Sequence, residues 1–435
     1  MDSGEQRVTG SGLHVLLPTV GSAGDVHPMI ALGMTLQRRG HRATVITNEV
    51  FADTVRSAGL EFISLGTAAE AQAAIADPRL WHPVNGFQCI AERVLIPALP
   101  RLYDIIAGHA GSHVVVAAAG TCLGARVAQE KLGVCLATIH LQPAMFRSLI
   151  DSGRQGRFTM GPRVPRFVKK SLFRLIDTFV INRHLLPELN GFRARLGLQP
   201  VDNVFGSYLH STQLVVGLFP EWFAPPQPDW PPHTHLTGFP LHDGGGERET
   251  VATAEEFLDA GPPPVMFTPG SAAAGQERFF RESVKACRMA GLRGMLVTNF
   301  PGQLPKDLPP SVQGFSYLPF SRILPRCAAL VYYGGIGTLA QAVKAGVPHL
   351  VVPHAHDQPD NALRVERLGL GRGLYPERYK PATVARMLTE IMSSSQVRQR
   401  SQKYAQEIDT ETTLRQTSEL IEQLGRSPAS YTMNL

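Results

Sequence analysis

No apolar run in this chain is long enough to cross a bilayer, so it is not expected to span a membrane. Its polar opening, MDSGEQRVTGSG, lacks the apolar core of a signal peptide, and residues 1–11 read as a disordered N-terminus. Cysteine is scarce. Cys89, Cys122, Cys135, Cys287 and Cys327 are odd in number and show no paired spacing, which excludes a disulfide framework and suits buried thiols in a reducing cytoplasm. No metal-ligand cluster stands out among them. There is no long Lys/Arg block either: the formal net charge of +6 is spread along the chain, so nucleic acid is not indicated. Short tandem repeats are also lacking.

What is present is alternation. Short β-rich runs such as Leu13–Pro18, Ala43–Thr47, His113–Ala117, Cys135–Ile139 and Gln213–Gly217 are separated by helical stretches. The pattern resumes at Pro264–Thr268 and Gly294–Thr298. Between the two series, residues 220–248 are rich in proline and glycine and have little periodicity. We therefore expect two α/β domains, residues 12–240 and 261–424, joined by a linker at 241–260. The Gly21-Ser22-Ala-Gly24-Asp25 turn does not space its glycines as a dinucleotide fingerprint does, which disfavours hydride transfer.

The densest pattern lies between Tyr317 and Gly373. Two apolar runs, Ala328–Tyr332 and Val347–Val352, read as buried parallel strands. Between them, Gly334-Gly335-Ile336-Gly337-Thr338 opens a helical run that Gly346 ends. A strand, a glycine turn and a helix N-terminus make an anion site from free amides and the helix dipole. Beyond the second strand, His354-Ala-His356-Asp357-Gln358 places an Asp-Gln pair at the same sheet edge, able to grip hydroxyls. A diphosphate joined to a sugar satisfies both halves. The other reading is a helix packed closely at its glycine turn, with Asp357 as the next N-cap.

Taken together, these residues resemble the donor-binding signature of the family 1, two-domain (GT-B) glycosyltransferases. The resemblance implies an α/β GT-B fold, with two Rossmann-like domains facing each other across a cleft and a final helix packing back on the first domain. It implies an inverting, metal-independent transfer from a UDP- or dTDP-sugar, with no cofactor. It places Tyr317 and Leu318 at the nucleotide base, and Gly334, Gly335, Gly337 and Thr338 at the phosphates. Gln341 falls near the ribose, and Asp357 and Gln358 at the sugar, with His354 and His356 flanking them. Ser22, Gly24 and Ser271 are further candidate donor contacts. Tyr333 stands where the family usually has histidine. A phenol donates one hydrogen bond and carries no positive charge near pH 7, so diphosphate binding should lean on backbone amides. Two rival functions remain: a sugar-nucleotide epimerase, which can share this fold, and a non-catalytic donor-binding subunit, which the missing histidine favours.

Transfer to an alcohol needs a base beside the acceptor hydroxyl. Relatives in the resembled family carry a catalytic histidine or aspartate at the place that Asp25 matches. Asp25 thus reads either as the proton acceptor or as a helix cap. His27 is a rival with a better-matched pKa. The region after the strand at 113–117 reads Ala117-Ala-Ala-Gly-Thr, with no carboxylate to orient a histidine, which agrees with an aspartate base. His140, His210, His233 and His235 read as surface or packing residues.

The first half should supply the acceptor pocket. Residues 165–186 mix Arg166, Lys169, Lys170 and Arg174 with Phe167, Leu172, Phe173, Leu175 and Phe179. Such a helix either packs on a core with a solvated basic side or lies peripherally on the inner, anionic face of a membrane. Both readings give apolar walls and a hydrophobic small-molecule acceptor. Trp81 lines the acceptor entrance or simply packs. The segments Asp77–Pro83, Phe219–Trp230 and Thr237–Pro240 look like the rhamnosyltransferase branch of rhamnolipid synthesis, which implies a dTDP-sugar donor and a hydroxyacyl lipid acceptor.

Overall fold

The computed structural model describes residues 12–82, 85–244 and 247–426; the expectation for residues 1–11 lies outside them. The first half builds a sheet from β1 (His14–Pro18), β2 (Arg42–Asn48), β3 (Glu61–Gly66), β4 (Val114–Ala119) and β5 (Cys135–His140). A two-residue hairpin, β6 (Arg154–Gln155) and β7 (Phe158–Thr159), stands apart. Strands β8 (Leu214–Gly217) and β9 (Thr234–Leu236) complete the sheet in the order β3-β2-β1-β4-β5-β8-β9, all parallel. The second half repeats the plan with β10 (Val265–Thr268), β11 (Gly294–Val297), β12 (Val312–Phe315), β13 (Ala329–Tyr332), β14 (His349–Val351) and β15 (Gly371–Gly373). Their order is β12-β11-β10-β13-β14-β15, again parallel.

In both sheets the winding reverses beside the first strand, between β1 and β4 and between β10 and β13. Crevices at such reversals, outside the carboxyl ends of the strands, are where doubly wound sheets bind ligands. The central strands β1, β4, β5, β8, β10, β11 and β13 are buried and mainly apolar, as parallel strands covered by helices on both faces are. One buried apolar cluster runs through both halves, from Leu13 and Val15 to Met266, Leu330 and Leu424. Each sheet has a second cluster on its other face.

Two boundaries differ from expectation. The 241–260 linker is shorter than its composition suggested: Arg248–Asp259 is a helix whose Val251, Ala254, Phe257 and Leu258 are buried, with Phe257 edge-on to Phe315 of β12. Its apolar side belongs to the second half. The first helix begins at Ala23, within the stretch read as a glycine turn, and carries Pro28 inside it. Pro28 is the sixth residue of this helix, past the first turn where proline is readily tolerated, and it has no N–H to give the Gly24 carbonyl.

The last helix, Thr410–Arg426, leaves the second half and packs on the first, over the Ala23–Arg38 helix, β4 and β5. Glu422 fastens it there. Its carboxylate accepts from Arg39 at 2.6 and 3.0 Å and lies 3.0 Å from the His41 ring. Thr237 and Thr417 add a hydroxyl pair at 2.9 Å.

Candidate functional site

After β13 the chain turns through Gly334 at φ 100°, and Gly335 caps the Ile336–Ala345 helix. A side chain at Gly334 would be strained in that backbone, and its Cβ would lie 2.7 Å from the Val351 side chain. This turn faces its counterpart in the first half, the start of the Ala23–Arg38 helix. The two approach so closely that a Cβ on Gly337 would sit 3.3 Å from the Gly24 Cα. Two helix N-termini therefore converge on one cleft, and both favour negative charge there.

Asp25 lies at the first of these ends. Its carboxylate accepts from the Ser22 N–H at 2.8 Å and the Ser22 hydroxyl at 3.2 Å. Ser22 is the N-cap and Asp25 the third residue of the helix, so the capping reading holds in an altered form. Burial nevertheless raises the Asp25 pKa, against the lowering effect of both Ser22 bonds. Across the cleft, Asp357 is the N-cap of the Gln358–Leu368 helix. Burial, and then the charge of Asp25, push its carboxyl up to about 7. Two acids from opposite halves thus interact across the opening.

Asn361 went unnoticed in the sequence. Fully buried, it donates from one amide nitrogen to the Gly334 carbonyl at 2.8 Å and to the Asp357 carboxylate at 2.7 Å. It ties the glycine turn to Asp357. Its place four residues after Asp357 on a helix was the available signal. The Gln358 carboxamide oxygen accepts from the His354 and Ala355 N–H groups at 2.8 and 3.1 Å and holds that turn closed.

Gly24, His27, Ser271 and Gly337 line a common interdomain cleft. Tyr317, Leu318, Thr338 and Gln341 line it as well. Residues 239–243, after β9, form its rim and were not foreseen as part of the site. His242 there stands edge-on to His27, with ring centres 5.7 Å apart, and the Tyr317 hydroxyl accepts from the Gly244 N–H at 3.1 Å. Burial, with His242 beside it, lowers the His27 pKa. Its ring faces this rim, whereas Asp25 points back to Ser22.

Three expected donor residues point elsewhere. Tyr333 is buried, donates its hydroxyl to Gln276 and stacks on His354, with ring centres 3.8 Å apart. His354 is thereby committed to packing, and its Nδ1 is 2.9 Å from the Val352 carbonyl. His356, at φ 59°, reaches across to the first half, 3.1 Å from the Leu80 carbonyl and edge-on to Trp81. Trp81 packs against the second half's outer core. His140 and His210 form a buried pair at 2.9 Å, as packing residues do. Among the described residues, no three His, Cys, Asp or Glu side chains are grouped to hold a metal ion.

Comparison with known proteins agrees with this geometry. Residues 15–149 match the glycosyltransferase family 28 N-terminal domain, and residues 296–424 match the erythromycin biosynthesis protein CIII-like C-terminal domain. Over 401 residues the chain is 31% identical to an O-mycaminosyltylonolide 6-deoxyallosyltransferase of Streptomyces fradiae, covering 88% of this chain and 89% of that one. It belongs to the family 1 GT-B glycosyltransferases. The fold agrees: the glycosyltransferase of kitacinnamycin superposes with a TM-score of 0.70 at 21% identity, covering 95% of this chain and 99% of that one. A spinosyn rhamnosyltransferase complexed with thymidine diphosphate gives 0.63 at 17%, covering 94% and 100%. At that identity the likeness concerns the fold, so the narrower rhamnolipid branch gains no separate support from it. The chain is accordingly a sugar-transferring enzyme, and the GT-B assignment accounts for the two facing sheets and the returning last helix.

Proposed function

We propose that this glycosyltransferase moves one sugar from a nucleoside diphosphate to a hydroxyl of an apolar natural product, with inversion at the anomeric carbon and Asp25 as base. The observation that carries the proposal is the pairing of a helix N-terminus without a side-chain cap, at Gly335–Thr338, with a buried carboxyl on the facing half. The amides and dipole at that N-terminus suit the diphosphate, with Asn361 fixing the turn. The acceptor oxygen attacks the anomeric carbon from the side opposite the diphosphate. The bond from that carbon to the β-phosphate oxygen breaks, and the diphosphate leaves with the electron pair. Asp25 takes the hydroxyl proton. Its raised pKa makes it a stronger base than an exposed aspartate. In this reading Asp357 and the Gln358 amide take the sugar hydroxyls.

The acceptor class rests on apolar cleft walls, among them Leu141, Leu218 and Phe239, and on the S. fradiae relative, whose name describes transfer to O-mycaminosyltylonolide. The solved neighbour holding thymidine diphosphate favours a dTDP- or UDP-linked donor. Incubation with a panel of dTDP- and UDP-sugars and hydroxylated polyketides, sterols and lipid hydroxy acids, read by mass spectrometry, tests the proposal. A glycosylated acceptor of inverted anomeric configuration by NMR is the expected result. Donor conversion without an acceptor would instead identify an epimerase, and binding without turnover a donor-binding subunit.

A further inference from the structure

Eight large hydrophobic side chains are exposed among the described residues, and five of them fall between residues 158 and 179. They are Phe158, Phe167, Val168, Leu175 and Phe179, with Phe167 72% and Phe179 63% exposed. Scattered exposed hydrophobics are ordinary, but a cluster calls for an occupant. Four of the five lie on the Arg166–Ile176 helix and the turn that continues it, Asp177–Ile181.

This helix has three distinct sides. Lys169 and Phe173 face inward and are buried. The Lys169 ammonium donates to the carbonyls of Leu149 and Ile150, and Arg147 pairs with Asp177 at 2.6 Å, so the inner side is fixed. Phe167, Val168 and Leu175 crown the outer side. Arg166, Lys170 and Arg174, spaced four apart, form an exposed ridge along one flank. Residues 154–183 hold eight Lys and Arg and a single acid, Asp177, which is buried. Among the described residues none of Arg163, Arg166, Lys170, Arg174 and Arg183 has an ion pair.

We propose that this surface docks the enzyme on an anionic phospholipid bilayer. An apolar crown with a basic flank is the arrangement of a helix lying in the interface plane. The charge argues against a second copy of this chain, since a two-fold contact would set the basic ridge against itself. No helix of the described chain is long and apolar enough to cross the membrane, so the contact is peripheral. The anchoring also reaches the second half: the Arg154 N–H, in the segment between the Lys169 contacts and the helix, donates to Asp360 at 2.9 Å, three residues after Asp357.

The test is co-sedimentation of the full chain with vesicles of phosphatidylcholine alone and of phosphatidylcholine mixed with phosphatidylglycerol. Binding to the mixed vesicles only, lost at high salt, is expected. Lys170→Glu with Arg174→Glu should lower partitioning at least about twentyfold. Phe167→Ser with Phe179→Ser should lower it at least about tenfold. Melting temperatures should stay unchanged, because all four side chains are exposed. Absence of binding to the mixed vesicles would overturn the proposal, as would binding that both variants retain. So would a dimer in solution that Phe167→Ser with Phe179→Ser converts to monomer.

Discussion

The two halves of this enzyme are wound alike, yet their helix N-termini at the cleft are used in opposite ways. In the first half, the start of the Ala23–Arg38 helix is occupied by its own acid: Asp25 accepts from the Ser22 N–H. In the second half, Gly335 caps the Ile336–Ala345 helix and has no side chain to fill the site. One end carries a carboxylate from its own chain, and the other has no side-chain cap, which under the proposed function leaves its amides for the diphosphate. A strand, a turn and a helix thus suit either a base or a leaving group, according to whether a carboxylate or a glycine follows the turn. In the proposed mechanism the facing arrangement serves both at one reaction centre.

The strongest way to break this comparison is Asp25→Asn. It keeps an acceptor for the Ser22 N–H but removes the proton acceptor, so turnover should fall about 100- to 10,000-fold. Melting should barely move, because asparagine still satisfies that N–H. Near-normal turnover would remove Asp25 from the chemistry and make His27→Ala the next variant. On the other side, Gly337→Val crowds Gly24 and covers the open amides. Nucleotide binding measured by calorimetry should weaken at least about tenfold, since a misplaced diphosphate loses charge-assisted hydrogen bonds worth about 1.5–3 kcal/mol each. Unchanged affinity would mean that the phosphates bind elsewhere.

A subtler comparison concerns the two acids. The Asp357 pKa is about 7 in the fold and about 3.9 in an unfolded chain. Between those values the folded form holds a proton that the unfolded form has released, so stability should fall as pH rises from about 4 to about 7. Asp357→Asn should flatten that slope in melting curves recorded across the window. It should also cut kcat/KM for the intact donor about 5- to 150-fold, the equivalent of about 1–3 kcal/mol for an unpartnered polar group. Free nucleotide affinity should be retained. A slope that persists in the variant would assign the proton to another group. The smallest effect is expected of Tyr333→Phe. Its hydroxyl bonds to Gln276 and does not face the cleft, so about 0.5–1.5 kcal/mol of stability should be lost with kcat/KM nearly constant. A large fall in kcat/KM would return Tyr333 to the donor site.

Most of the sheet was legible because buried parallel strands are continuous apolar runs bounded by turns. In the two parallel sheets the strands that escaped were β9, β12 and β15, whose sequences are short and polar or glycine-bearing: Thr-His-Leu, Val-Gln-Gly-Phe and Gly-Arg-Gly. They gain strand geometry only from a neighbour already in place. At the site, the phosphate turn was legible because glycine spacing and a following helix are local features. The start of the first helix was not, because Pro28 looks like a first helical residue and hides the turn before it. The directions of Tyr333 and His356 depend on contacts with Gln276 and Leu80, far away in sequence, and no local pattern encodes them. Asn361 was hidden for a related reason: its partners are a carbonyl 27 residues back and a carboxylate one helical turn away.

The returning helix Thr410–Arg426 has a consequence for motion. The polypeptide passes between the halves twice, once after β9 and again just before Thr410, and Glu422 clasps the far end to Arg39 and His41. A single crossing would be a swivel, free to rock and twist in every direction. Two crossings side by side define an axle, so opening is confined largely to rotation about the line joining them. Any opening of the cleft would then part Gly24 from Gly337 along that single arc. Severing the chain before Thr410 would leave a looser joint, and the two catalytic faces would no longer meet in register.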